Sequence, residues 1–254
     1  MRALITGSRG TVGSALRAAL EGRGDDVVPW DRAAVPIDDY TRMHAFVEQV
    51  RPDVLFHLAA ASQPSQDRAP EEESWLVNHD WTSELAWITR QLGVRFVFTS
   101  TVMVFESPGP YTIASRPDPT AGYGREKALA EARTVHQNPH ARIARLGWQI
   151  GEGTQGNHMA AWAHARGRVE ASLRWIPACS FLEDTAAGLL QVAEAGPGLY
   201  HLDSNDGHSF YDILSALQRT QGTDWTLVPT WERAFDQRLL EARIRMPRLG
   251  ERLG

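Results

Sequence analysis

Apolar and polar positions along the chain follow two periods that alternate from the first residue onward. Short, nearly continuous apolar runs occupy 2–6, 26–30 and 54–59, and between them, at 11–22 and 40–50, apolar residues recur every three to four positions. The runs predict strands buried on both faces; the three-to-four spacing predicts amphipathic helices packed over them. A long helical stretch follows over 72–92, where Trp75, Asn78, Trp81 and Leu85 recur at helical spacing, and the β-branched and aromatic run at 94–100 predicts a fourth strand. A further strand-like run, ARIARL, ends at Leu146. This alternation predicts an α/β fold, a doubly wound parallel sheet covered by helices on both faces.

Beyond that strand the pattern loosens into Gly-rich and Trp-containing segments such as GEGTQGN and RWIPACS. The expected organisation is a core over 1–150, with 151–254 forming mainly a small substrate lobe from which some segments return to the core. The tail after Phe235 carries Arg238, Arg243, Arg245, Arg248 and Arg252 among acids and reads as a solvated helix face. At 254 residues and 43% apolar content, the chain can bury a substantial core. A formal charge of −5 disfavours polyanion binding, so nucleic acid is not an expected partner. The longest apolar stretch, VLFHLAAA, is too short to span a bilayer and Met1 leads directly into a strand-like run, so a soluble cytoplasmic protein without membrane contacts is expected. The single cysteine, Cys179, excludes an internal disulfide and reads as lobe packing. The nine histidines, His201 and His208 among them, show no metal-ligand spacing, and no metal is expected.

The chemistry starts in ITGSRGTVGS, where Gly7, Gly10 and Gly13 fall between the first strand and the first helix. In that context a first glycine makes the tight turn, a second lets backbone approach a pyrophosphate and a third allows close helix–strand packing, with the helix N-terminus facing the phosphates. Thr11 and Val12 belong to the same loop, and Ala59 and Ala60 follow the third strand. About twenty residues downstream of the loop, Asp31 stands where ribose hydroxyls of a dinucleotide would lie. Arg9 and Arg32 could bind a 2′-phosphate that Asp31 would repel, which tilts the expected cofactor to NADP(H), with NAD(H) as the alternative.

In AGYGREK, Tyr123 and Lys127 are four residues apart on one helix face. A nearby ammonium favours phenolate and is expected to lower the pKa of the phenol, making Tyr123 a proton shuttle. Ser100 and Thr101 are expected just past the C-terminal end of the fourth strand, the edge at which open α/β sheets bind ligands.

Together these segments resemble the extended short-chain dehydrogenase/reductases, and within them the dTDP-4-dehydrorhamnose reductase-like branch. The resemblance covers most of the chain, through ITGSRGTVGS, RPDVLFHLAA, TSTVMVF, PYTIASRPDPTAGYGREKALAE, RLGW and GLYHLDSNDGHSFYDIL. It implies a Rossmann-type core, Thr101, Tyr123 and Lys127 as a catalytic trio, Lys127 on the nicotinamide ribose, Asn78 at the active-site asparagine position and Trp148 as a wall of the substrate pocket. The implied activity is NAD(P)H-dependent reduction of a carbonyl on a 4-keto sugar nucleotide or related biosynthetic ketone. An epimerase and a non-catalytic NADP-binding regulatory subunit, such as the methionine adenosyltransferase β subunit, are the alternatives. The implied partner is a small-molecule substrate, with a homodimer left open. Three departures stand out. The branch's Asp-Tyr after the catalytic threonine is here Val102-Met103, which predicts an apolar surface beside the reacting carbon and a smaller or more apolar ligand. The acid expected at the adenine falls on Pro36 and Ile37, unless Asp38 serves. The chain is also short in the substrate lobe.

Overall fold

The computed structural model describes residues 1–62, 71–151, 158–222 and 224–254. The chain opens with β1 (Arg2–Thr6), α1 (Thr11–Gly22), β2 (Asp26–Pro29), α2 (Tyr40–Val50) and β3 (Val54–His57). Next come the short α3 (Glu71–Trp75), a wide π turn over Leu76–Asp80, α4 (Trp81–Leu92) and β4 (Arg95–Thr101). After a 3₁₀ turn at Val102–Val104 the chain forms α5 (Gly122–Gln137), β5 (Arg142–Leu146), β6 (Trp148–Ile150), α6 (His158–Arg166), β7 (Arg168–Ser172) and β8 (Trp175–Ile176). It ends with β9 (Cys179–Phe181), α7 (Leu182–Glu194), β10 (Gly198–Leu202), α8 (Phe210–Gln221), β11 (Thr226–Thr230), β12 (Phe235–Asp236) and α9 (Leu249–Leu253).

Six of these strands form one parallel sheet in the order β10-β5-β4-β3-β1-β2. Every residue of β3 and most of β1, β4 and β5 are buried, as a sheet covered on both faces requires. One face packs Leu4, Leu55, Phe96 and Phe98 against Met43, Trp81 and Leu85; the other packs Ile5, Phe56 and Val97 against Leu16, Leu20 and Leu189. The strand order reverses between β1 and β3, so a crevice opens there at the C-terminal ends of the strands. A third cluster, built on Ile150, Trp175, Phe210 and Trp225, belongs to the small two-stranded sheets of the second half of the chain. The return of 151–254 to the core is made by α7 and β10, β10 pairing with β5 at the sheet edge.

Three local readings need correction. The stretch 72–92 is not one regular helix: the π turn at Leu76–Asp80 interrupts it and turns Val77 and Asn78 inward. Ser100 and Thr101 are the last residues of β4 and not past its end. The arginine-rich tail is no solvated helix. Arg238 pairs with Asp236, Arg243 with Glu241 and Arg252 with Asp184, while Leu249 and Leu253 are buried, so the tail is tied to the body. Among the described residues, no helix is long and apolar enough to cross a membrane.

Candidate active site

The glycine loop follows from hard contacts. Gly7 has φ +68°, and a Cβ there would lie 2.7 Å from the Ala59 nitrogen. At Gly13 a Cβ would lie 2.1 Å from the Gly7 carbonyl oxygen, so the first turn of α1 rests directly on the loop. Gly10 caps α1 and donates its N–H to the Gly7 carbonyl at 2.9 Å. Side chains larger than hydrogen would push helix and loop apart and move the free N–H groups of α1 away from any anion in front of them.

Below the loop lies a chain of buried hydrogen bonds. Leu58 and Ala59 donate their N–H groups to the Thr6 hydroxyl, which meets His57 Nδ1 at 2.8 Å; His57 Nε2 meets Thr82 Oγ1 at 2.9 Å. Thr82 gives its proton to the Asn78 carbonyl, so Nε2 carries the ring proton and Nδ1 accepts from Thr6. Complete burial and the Lys127 charge hold the His57 pKa well below the ordinary histidine value, keeping the ring neutral.

In front of the loop is a cavity of about 360 Å³, lined by Gly7, Gly10, Thr11, Val12 and Gly13 on one side and Ser100, Thr101 and Tyr123 on the other. Ala60, Ser62, Thr99, Gly147 and Gln149 complete it. Thr101 Oγ1 accepts the Met103 N–H at 3.2 Å, which caps the 3₁₀ turn and leaves the hydroxyl proton to point elsewhere. Tyr123 is half-buried in the first turn of α5, which approaches the 3₁₀ turn after β4 closely because Gly124 lies against the Met103 carbonyl. Lys127, one turn further along, is 1% exposed; its Nζ has no hydrogen-bond partner among the described residues and sits 4.1 Å from the Phe98 ring centroid.

The electrostatics differ from the expected ammonium–phenol pair. Burial pushes Lys127 down to about 7, against the opposing pull of Glu131 and Glu126. Burial and the Glu126 charge push the Tyr123 phenol above its ordinary value. Both groups are therefore shifted towards their neutral forms in the protein alone, chiefly by desolvation.

Other expected residues are placed as follows. Asn78 is fully buried; its amide bonds the Ala61 backbone on both sides (2.9 and 3.0 Å) and Glu126 at 2.7 Å, so it fastens the π turn to α5 and is not a substrate contact. Val102 is likewise corrected: its side chain is 3% exposed and packs with Val104, Phe105 and Leu239. Met103 is 43% exposed and lines a second cavity with Phe105, Glu106, Tyr123, Arg233 and Gln237, so that surface is mixed and not purely apolar. Trp148 lines a third cavity of about 310 Å³ with Trp162, Trp175 and Phe210, and Arg233 borders this one too. Asp31 is exposed and accepts the Ala33 N–H. Arg9 is exposed, whereas Arg32 faces Glu73 at 3.4 Å, which cancels part of the positive charge expected there. Ile37 is buried, Asp38 exposed, and the neighbouring Asp39 caps α2. Cys179 is buried and its thiol is pushed well above the ordinary value by burial. His201 is buried beside Arg145 and pushed down to about 4, chiefly by burial.

A family model described as RmlD substrate binding domain matches residues 1–241. The chain belongs to that family. Its likeness to individual members is more distant. It is 28% identical over 229 residues to the dTDP-4-keto-6-deoxy-D-glucose reductase of Streptomyces niveus, covering 88% of this chain and 80% of that one. It is 24% identical over 238 residues to methionine adenosyltransferase 2 subunit beta of Xenopus tropicalis, covering 85% and 71%. The crystal structure of dTDP-4-dehydrorhamnose reductase from Bacillus anthracis in complex with NADP superposes with a TM-score of 0.85 at 20% identity, covering 99% of this chain and 96% of that one.

Sequence reasoning did not single out Glu126, Glu106, Gln237 or Arg233. Glu126 lay in plain view between Tyr123 and Lys127, three residues after Tyr123 at a spacing that shares its face. Arg233 had no such signal: its place depends on a backbone with φ +55° and on stacking over Trp175 at 4.2 Å.

Proposed function

We propose that this chain is an NAD(P)H-dependent reductase, with NADP(H) preferred, that converts the carbonyl of a 4-keto sugar nucleotide or a related ketone to an alcohol. The observation carrying this reading is that Thr101 and Tyr123 share one cavity with the glycine loop. The residues fit a dinucleotide: the glycines leave a cradle that any Cβ would fill, and Lys127 Nζ and Ser100 Oγ are buried polar atoms without partners among the described residues. When bound, the dinucleotide supplies the hydride. Gly7, Gly10, Gly13, Thr11 and the α1 N-terminus would hold its diphosphate, and Lys127 its nicotinamide ribose. Thr101, its oxygen already accepting the Met103 N–H, turns its own proton to the carbonyl oxygen. Tyr123 delivers a proton to that oxygen as charge develops on it, so the carbonyl gains one hydride at carbon and one proton at oxygen. Beyond Tyr123, Met103, Glu106 and Gln237 surround the second cavity, and Arg233 stands between it and the aromatic one, a cation suited to the anionic linkage of a nucleotide sugar. The experiment is to incubate the protein with NADPH and a panel of nucleotide-linked and free ketones, following loss of NADPH absorbance and identifying the alcohol by mass. Tight NADPH binding with no consumption on any ketone would favour the regulatory-subunit reading, and conversion of a nucleotide sugar to its epimer with no net change in the cofactor would favour an epimerase.

A further inference from the structure

Gln237 directly follows β12, and its stretch of backbone is held from two sides. Its own N–H donates to the Ile176 carbonyl at 2.8 Å, continuing the β12–β8 pairing, while the flanking Asp236 and Arg238 carbonyls accept the Gly109 and Tyr111 N–H groups at 2.7 and 2.8 Å. The side chain is 8% exposed, and its Oε1 accepts the indole N–H of Trp175 at 2.7 Å. An indole nitrogen only donates, so this contact fixes which end of the amide is which: the oxygen faces Trp175, and the two Nε2 donors point away from it. Among the described residues, no group accepts from that Nε2.

The amide sits at a boundary. Gln237 lines the cavity of about 440 Å³ that also holds Tyr123, whereas Trp175, its partner, walls the aromatic cavity beside it. The other polar groups around the Tyr123 cavity leave an acceptor wanted. Arg233, stacked over Trp175 at 4.2 Å, has only donors to offer. Tyr123 carries its proton at neutral pH. Glu106 is already engaged by the Thr120 N–H and hydroxyl, at 2.8 and 3.0 Å from its Oε1.

We propose that Gln237 is a specificity-determining residue of this site, its Nε2 donating a hydrogen bond to an oxygen substituent on the sugar ring of the ligand. The kind of ligand, a nucleotide-linked sugar ketone, rests on the reductase reading; the orientation of the amide does not. A ring hydroxyl or carbonyl at that place accepts the bond. A methylene there leaves the donors buried and unpaired, which costs more than the bond itself contributes. The cavity therefore selects oxygenated rings over deoxygenated ones, the opposite of the preference expected from Val102-Met103.

The test is a binding cycle that needs no turnover. The probes are dTDP-glucose and UDP-glucose, alcohols that NADPH cannot reduce, with their 2-deoxy, 3-deoxy and 6-deoxy counterparts, titrated calorimetrically into the protein in the presence of NADPH. The wild type is expected to bind a parent sugar about tenfold more tightly than one of its deoxy counterparts. Gln237→Met, similar in length but without donors, is expected to weaken the parent about three- to tenfold and to leave that deoxy counterpart unchanged. Gln237→Asn, which draws the donors back by one methylene, gives the same pattern and serves if the methionine variant does not fold. Equal losses on parent and deoxy probes would mean that Gln237 only supports Trp175, and would overturn the proposal. So would a wild type that binds all the probes alike or none of them. Failure of the reductase reading shows separately, as NADPH left unconsumed on every ketone whatever the binding cycle gives.

Discussion

Lys127 Nζ lies 4.1 Å from the centroid of the Phe98 ring and makes no hydrogen bond among the described residues. The face of an aromatic ring attracts a cation, but it replaces only part of the water an ammonium loses on burial. Lys127 is therefore a stability cost in the protein alone and a binding group once an acceptor arrives. Lys127→Met is expected to stabilise the cofactor-free protein by about 2 kcal/mol near neutral pH, read as a rise in Tm, and to weaken NADPH binding at the same time.

The same group makes the wild-type stability depend on pH. Its folded value of about 7 lies below the unfolded lysine value, so between the two the unfolded chain binds more protons and stability rises with pH. The Tm of the wild type is expected to approach that of Lys127→Met as pH climbs from 7 towards 10, and to fall furthest behind it below 7, where the penalty is fully present. Parallel Tm–pH curves for the two proteins would show that Lys127 is charged in the folded state throughout.

Tyr123→Phe removes the proposed proton donor while leaving the glycine cradle and Lys127 in place. Turnover is expected to fall about 10²–10⁴-fold, with NADPH affinity nearly unchanged by intrinsic tryptophan fluorescence. Near-full activity in this variant would remove Tyr123 from the chemistry.

On the reading proposed above, cofactor preference rests on Arg9 and on the exposed pair of Arg32 with Glu73, 3.4 Å apart. Arg9→Ala is expected to weaken NADPH about tenfold with little effect on NADH, in line with loss of one charge-assisted hydrogen bond. Glu73→Gln releases Arg32 and should tighten NADPH by no more than about fivefold, because exposed pairs contribute under roughly 1 kcal/mol. Fluorescence titrations with both cofactors measure each effect.

Arg233 borders both the Tyr123 cavity and the aromatic cavity of Trp148 and Trp175. Arg233→Ala is expected to raise KM for a nucleotide-linked ketone about tenfold or more with kcat little changed, and to leave a ketone lacking phosphate unaffected. Equal losses on both substrates in steady-state kinetics would assign it a purely structural role.

The sheet, its helices and the glycine loop were legible in the sequence, because burial on two faces, amphipathic spacing and a left-handed turn at Gly7 are local demands that residue types must meet wherever the chain goes. The four-residue spacing likewise placed Tyr123 and Lys127 on one face without any knowledge of what lay opposite. What lay opposite was decided by the tertiary structure. Only packing shows that Phe98 and not water faces the Lys127 ammonium, that burial drives that ammonium and the phenol towards neutrality, and that Asn78 is spent on Ala61 and Glu126. Only packing brings Glu73 to Arg32 across 41 residues, and Arg233 to the junction of two cavities. Solvation and distant charge, which set the protonation of the site, are properties of the folded surroundings, and no spacing along the chain encodes them.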